Sequence, residues 1–277
     1  MSRLVLIGHI IICVVFLILF TSCFEEPPDV IKVYSLSDAE KKLAEHTDPH
    51  AGTTPSSPIY LMVYFDLGDV SRLDSDYFRL LEIIDNSGFY AELVLYEAKM
   101  GGTTVFTSPP LNEAVKGMDK IVIFNFPGVT TNIVADSNGM SPFYFYENLK
   151  RVHSDEKFAY IGDFAFSSCK NLEYISISSV KTVGKEAFRG CENLIRVGLS
   201  TVETIGDRAF YNCSALVTIT MVRKPPTLGD SVFLGSTPAV FTLYIDRAYQ
   251  GAYRTWIEEN ASKFNNDGKD VVFKLAN

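Results

Sequence analysis

The chain has 277 residues, 47% hydrophobic and 21% charged, which is enough apolar material for one or two cores. A formal net charge of −8, with no run of five or more basic residues, argues against nucleic acid as a partner, because its phosphates demand clustered Lys and Arg. Twenty Phe and 14 Tyr against one Trp favour a packed, largely β architecture over a disordered one.

Residues 1–23 read as a targeting segment outside the fold. Arg3 supplies a positive start, Leu4 to Phe20 is almost entirely apolar, and Thr21-Ser22-Cys23 follows as a small-residue cleavage site. The segment resembles a bacterial lipoprotein signal, and that resemblance implies that Cys23 is acylated and becomes the new N-terminus. It departs from the usual pattern at Phe20, where Leu is normal. The alternative is an uncleaved membrane anchor; an apolar run broken by Gly8 and His9 is short for a span of about 20 residues. Both readings place the remainder outside the cytoplasm.

Residues 24–58 carry Glu-Glu-Pro-Pro-Asp and Thr-Thr-Pro-Ser-Ser-Pro and read as a largely flexible tether, with a weak helical patch at Leu36 to Glu45. Ile59 to Phe65 is expected as the first strand. Asp74 to Gly88 reads as an amphipathic helix, with Tyr77, Leu80, Leu81 and Ile84 on one face, Asp74 or Ser75 as N-cap and Gly88 as the stop. With strands at 59–65 and 91–96 it makes a βαβ-like N-terminal cap. Residues 59–135 comprise this cap and irregular repeats, whose strands are Tyr90-x-x-Leu93-x-Leu95 and Met118-x-x-Ile121-x-Ile123.

The repeat proper spans 136–246. Cys169, Cys191 and Cys213 stand 22 residues apart, and aligned on them three segments, 161–177, 183–199 and 205–221, share one skeleton. It runs apolar-Gly-x-x-Ala-Phe-x-x-Cys-x-x-Leu-x-x-apolar-x-apolar. Its second half is a short strand whose alternate residues point inward: Ile175 and Ile177, Val197 and Leu199, Ile219 and Met221. One such coil cannot bury its apolar edge, whereas stacked coils bury each other's. Phe166, Phe188 and Phe210, and the three cysteines, are expected to stack as ladders inside the coil. Gly162, Gly184 and Gly206 suit a tight bend where a side chain would clash. Ragged copies extend the array: Phe143 to Val152 puts Tyr146 in the Cys place, and Leu228 to Phe233 with Val240 to Ile245 makes the last coil. Residues 247–277 form the C-terminal cap. Arg247 to Phe264 aligns Tyr249, Tyr253, Trp256 and Ile257 on one helical stripe, and Val271 to Leu275 is the closing strand. The expected fold is an α/β solenoid, with short parallel strands on one face and helix-containing caps at both ends.

These repeats resemble the BspA-like leucine-rich repeats of bacterial surface lipoproteins, particularly the treponemal form, from about Ile59 to Leu275 and most specifically over 161–221. The resemblance implies a surface-exposed binding module engaged in adhesion or colonisation.

The search for chemistry returns little. Three cysteines at equal period are read as a buried thiol ladder, with a disulfide between neighbours or a metal site as the alternatives. His9, His46, His50 and His153 do not cluster, and Pro49 opposes a helix that would bring His46 and His50 together. No nucleophile-elbow, zinc-protease or phosphate-loop motif occurs, so neither an enzyme, a metal nor a cofactor is expected. What remains is the strand surface: Lys120, Phe124, Arg151, His153, Tyr174, Ser176, Arg196, Thr218 and Thr220 form the candidate binding face, beside the bland reading of a solvated sheet. The expected partner is a host extracellular protein or, on the periplasmic side, a bacterial envelope protein, with the membrane engaged through lipid. A small hydrophobic ligand in an aromatic cavity near Phe124, Phe143 or Tyr146 is a further possibility.

Overall fold

In the central coils, from Tyr160 to Thr220, residues 22 apart lie directly above one another. The computed structural model describes residues 30–111, 114–154, 158–177, 179–236, 241–264 and 271–275, so the signal-like segment with Cys23 lies outside the described residues. Chain contacts divide at Val30: the first unit, Met1–Val30, is described at Val30 alone, and the second, Ile31–Asn277, carries the fold below.

Two parallel sheets run the length of the solenoid. The longer has ten strands in the order β1 (Val30–Val33), β2 (Ile59–Val63), β3 (Ala91–Val94), β5 (Ile121–Asn125), β7 (Arg151–His153), β9 (Tyr174–Ile175), β11 (Arg196–Gly198), β13 (Thr218–Met221), β15 (Phe241–Ile245) and β16 (Val271–Leu275). Its register sets Leu61, Leu93, Phe124, Val152, Ile175, Val197, Ile219 and Leu243 in one inward column, all buried. The second sheet has six two-residue strands: β4 (Val105–Phe106), β6 (Asn132–Ile133), β8 (Tyr160–Ile161), β10 (Thr182–Val183), β12 (Thr204–Ile205) and β14 (Thr227–Leu228). It uses the apolar residue before each repeat glycine, so Ile161, Val183, Ile205 and Leu228 form a second inward column, which Ile133 continues upstream without a glycine after it. Strands therefore line two faces of the coil, where the sequence pattern pointed to one.

Between the sheets, the Phe rings stack face to face. Phe143–Phe166, Phe166–Phe188 and Phe188–Phe210 have centroids 5.2, 5.3 and 5.1 Å apart with ring planes within 10°. The column continues beyond the expected members to Phe106 at one end and through Phe233 to Phe264 at the other. The backbone of this return arc is satisfied by the next coil, as in Phe166 N–H to the Ala187 carbonyl (2.7 Å) and Phe188 N–H to the Ala209 carbonyl (2.8 Å). Those bonds hold Phe164, Glu186 and Arg208 at φ of 52–58°, a left-handed conformation that L residues otherwise avoid.

The repeat glycines serve a different purpose from a tight bend. Gly162, Gly184 and Gly206 have ordinary φ, but a Cβ at Gly206 would lie 2.6 Å from the Lys185 backbone nitrogen, and one at Gly184 2.6 Å from that of Asp163. They are glycine because adjacent coils approach there backbone to backbone.

Two expectations are corrected at the N-terminal end. Residues 30–58 are part of the fold rather than a flexible tether, and β1, not 59–65, is the first strand. Val33 is fully buried and its carbonyl accepts from Tyr64 N–H (2.9 Å). Helix α1 (Leu36–Glu45) is capped by Ser35, whose hydroxyl accepts from Asp38 N–H, and buries Ala39 and Leu43 against α2 (Asp76–Ser87). The helical patch expected at Leu36 to Glu45 is this capped helix; the proline-rich composition around it masked its packing into the fold. The second correction concerns β5. Ala91 pairs with Ile121 but Glu92 pairs with Ile123, so Val122 is an extra, bulged residue. One inserted residue reverses which face every later side chain takes. Phe124 consequently points into the core, fully buried, and not onto the binding face.

α2 buries Tyr77, Leu80, Leu81 and Ile84 as its pattern requires, with Phe78 in addition, and ends at Gly88 with φ 76°. At the other end α3 (Gln250–Glu259) closes the core: Tyr253 donates to the Arg223 carbonyl (2.9 Å) and Trp256 Nε1 to the Pro226 carbonyl (2.7 Å), while Trp256 lies edge-on to Phe264.

Two substitutions test this stacking. Phe188→Asp places an unpaired charge in the ring column and is expected to abolish the cooperative thermal transition; a mutant melting like the parent would refute the ladder. Gly206→Ala should lower stability by about 2–3 kcal/mol in denaturant titration, since the clash is with backbone that cannot swing aside.

Candidate binding face

The outer surface of the ten-stranded sheet is built by register. One row reads Ile123, Arg151, Tyr174, Arg196, Thr218 and Thr242 across successive strands. A second, two residues further along each strand, reads Asn125, His153, Ser176, Gly198, Thr220 and Tyr244. Neighbouring strands are about 4.8 Å apart, so these rows are rigid and evenly spaced. Of the expected residues, Arg151, Tyr174 and Arg196 are exposed, Tyr174 at 40%, and His153, Ser176, Thr218 and Thr220 are half-buried. Lys120 stands off the rows in the 3-10 turn Met118–Lys120, its amine 4.7 Å over the Tyr90 ring.

Sequence reasoning missed a polar group next to these rows. Tyr96 donates to Asn125 Oδ1 (3.2 Å), and Asn125 Nδ2 donates to Glu92 Oε1 (3.3 Å) and the Leu93 carbonyl (3.4 Å). Burial raises the Glu92 carboxyl above its ordinary range, against the opposing pull of the Asn125 bond and the Arg151 charge. Burial lowers His153, reinforced by repulsion from Arg151. The His153 ring leans on Tyr174 with centroids 6.0 Å apart. No sequence signal marks these residues, because Ile121-Val-Ile-Phe124 is apolar throughout and conceals where the alternation slips.

Ionic rungs flank the sheet. Lys150–Glu173, Lys170–Glu192 and Lys181–Glu203 pair between adjacent coils at 3.9, 3.6 and 3.5 Å. These pairs are exposed and each contributes roughly 0–1 kcal/mol. A tighter group sits at Glu186, whose side chain is 6% exposed and reaches Arg189 at 2.8 Å and Arg208 at 3.7 Å.

The cysteines carry hydrogen bonds rather than chemistry. Cys169, Cys191 and Cys213 are free thiols, buried, and each donates to the carbonyl of the Phe one coil back: Phe143 at 3.6 Å, Phe166 at 3.1 Å and Phe188 at 3.0 Å. Ser236 takes the same place in the next coil and donates to the Phe210 carbonyl. Burial pushes the Cys169 and Cys213 thiols up to about 12 and Cys191 well up too, so all three stay protonated and unreactive. Among the described residues no group of three or more His, Cys, Asp or Glu converges on a point, and His46 lies edge-on to Phe89 at 5.1 Å.

The suggested aromatic cavity is filled by its own rings. Phe124, Phe143 and Tyr146 are 0, 0 and 4% exposed and pack with Phe106 and Phe126 at centroid distances of 4.9–6.5 Å. The Tyr77 and Tyr146 hydroxyls bond to each other there and tie α2 to the first regular coil.

Two measurements follow from these environments. With a thiol-modifying reagent at pH 8, mass spectrometry should find the three ladder cysteines unmodified in the native protein and all modified in denaturant; native-state labelling would contradict their burial. By NMR, His153 should titrate below 6.5 in the folded protein and move upward in Arg151→Gln. Its share of stability is thus complete above pH 6.5 and declines as pH falls below it, because the unfolded chain binds the proton first.

Comparison with known proteins supports the fold. Residues 117–239 match the family described as BspA type leucine rich repeat region, in six copies. A crystal structure of a leucine-rich repeat protein from Bacteroides ovatus is 20% identical with a TM-score of 0.42, covering 66% of this chain; the chain spans about half, 49%, of that protein's length. No curated protein matches. By its stacked two-sheet coils and its matched repeats, this chain has a leucine-rich repeat solenoid fold with a repeat region of the BspA type.

Proposed function

We propose that the chain is a lipid-anchored cell-envelope protein that binds another protein on the outer face of its long sheet, and that its role is adhesion to a host surface. The row Arg151, Tyr174 and Arg196 carries the binding part of this reading. It is exposed, held rigidly by strand register above a fully packed core, and composed of residue types that anchor protein interfaces. Leucine-rich repeats are scaffolds commonly used to bind proteins, and the thiols, the one recurrent reactive group, are occupied in the core.

The anchoring part rests on the sequence of residues 3–23, ending at Cys23. Among the described residues no helix is long and apolar enough to cross a membrane. Adhesion rests on the resemblance of the repeats to those of bacterial surface proteins. The same signal would equally serve a periplasm-facing protein that assembles with bacterial envelope partners, because acylation fixes the membrane and not the leaflet.

Cys23→Ser should move the protein from the membrane fraction to the soluble one, and protease added to intact cells should remove the solenoid of the parent protein. Cleavage only after permeabilisation would transfer the reading to the periplasmic role. In pull-downs against host extracellular-matrix proteins, Tyr174→Ala should weaken capture; uniform absence of capture would remove adhesion.

A further inference from the structure

Lys150, Lys170, Lys181 and Arg208 each pair with an acid of an adjacent coil. Arg151 and Arg196 depart from that pattern. They stand in one row on either side of Tyr174, and neither forms an ion pair within 4.0 Å among the described residues. Glu92, whose carboxyl the Arg151 charge pulls down, lies two strands away and is held by Asn125. Tyr174 is 40% exposed, makes no cation–π contact among the described residues, and has the His153 ring beside it at 6.0 Å. In a chain with 33 acidic and 25 basic residues, two guanidinium groups without an internal ion pair on a regular face offer a positive site to an outside partner.

The ground beside them is low. Ser176, Gly198 and Thr220 make the second row shallow, and a Cβ built on Gly198 would meet nothing within 4 Å. Next to Arg151 a cleft of about 260 Å³ opens, lined by Pro55, Ser56, Pro58 and Ile123 and by Lys150 with its paired acid Glu173. A small-residue trough edged by two arginines suits an extended chain lying across the strands. Arg151 and Arg196 are two strand spacings apart, about 9.6 Å, and residues i and i+3 of a segment extended as polyproline II, with three residues per turn, lie on one face about 9.3 Å apart.

We infer that this face takes an acidic, extended protein segment, with carboxylates three residues apart paired to Arg151 and Arg196, the intervening chain running over Gly198 and against Tyr174. This deepens the proposed protein-binding role and rests on it. Arginine is suited to the task, since its planar fork bonds a carboxylate through two parallel N–H groups.

The test uses the whole purified protein and three fluorescein-labelled peptides of one length, with Glu, Gln or Lys at every third position and Ser and Gly between. Fluorescence anisotropy should show the Glu peptide binding, the Gln and Lys peptides failing to bind, and added salt weakening the complex. The double variant R151Q/R196Q should lose about tenfold in affinity, and Lys181→Gln, whose lysine lies in an ionic rung, should change nothing; unchanged melting temperatures would confirm that all variants fold. Equal binding of the Glu and Gln peptides, or an unaffected double variant, overturns the proposal. So does arginine-dependent binding of heparin without binding of the Glu peptide, which would assign the face to a sulfated polysaccharide. The broader reading is separable: loss of matrix-protein capture in Tyr174→Ala but not in R151Q/R196Q refutes the acidic segment and keeps the binding face, whereas capture indifferent to both refutes the face itself.

Discussion

Close stacking of like on like, once per coil, is the constraint from which the rest of this structure follows. A Phe ring 5.1–5.3 Å above an identical ring, with planes within 10°, fixes the tilt and spacing of each coil on the next. At that separation the backbones also meet, which is why Gly184 and Gly206 have no side chain, and why the return arc draws its hydrogen bonds from the adjacent coil. The thiols fit the same frame: each is a small apolar group that still caps a buried carbonyl, a task Ser236 performs equally where the cysteine is absent. Each interaction is weak or moderate alone, but none can be altered in one coil without disturbing the two beside it.

A stack has two open ends, and this chain closes them with helices of different construction. At the start, α1 and α2 lie together, and a Tyr77–Tyr146 hydroxyl contact joins the capping unit to the first regular coil. At the finish, Trp256 covers the last ring of the column, Phe264, and its indole nitrogen is satisfied by a backbone carbonyl from the coil beneath. The polar tips of both aromatic caps find partners, so burying them adds apolar area without leaving a donor or acceptor unmet.

The period, the ladders and the cap helices were legible because each leaves a mark in the chain: equal spacing, repeated Phe and Cys, and a helical stripe. Three features were not. The helical patch Leu36 to Glu45 was read with its bounds, but its proline-rich neighbours hid that the segment packs into the fold. The second sheet was hidden because two-residue strands are too short to show alternation. The bulge at Val122 falls within four consecutive apolar residues, where no alternation of polar and apolar can reveal its phase, and so Phe124 was placed on the wrong side and Glu92, Asn125 and Tyr96 went unseen. The regular strands from β7 onward alternate clearly, and there the face was read correctly: Arg151, Tyr174 and Arg196 do stand outward.

The glycine contact between coils has a consequence for how such a molecule can change over time. Because backbone touches backbone at that point, an extra residue is taken up elsewhere in the coil, as between Gly206 and Gly229, which are 23 apart and keep the contact, while a complete additional turn brings its own rings, thiol and glycine with it. The surface on offer to a partner is therefore lengthened or shortened in whole turns, each moving the farther residues by about 4.8 Å. A lineage that duplicates or loses a turn retains its architecture and shifts the spacing between the groups it displays, so reach and chemical character can diversify separately.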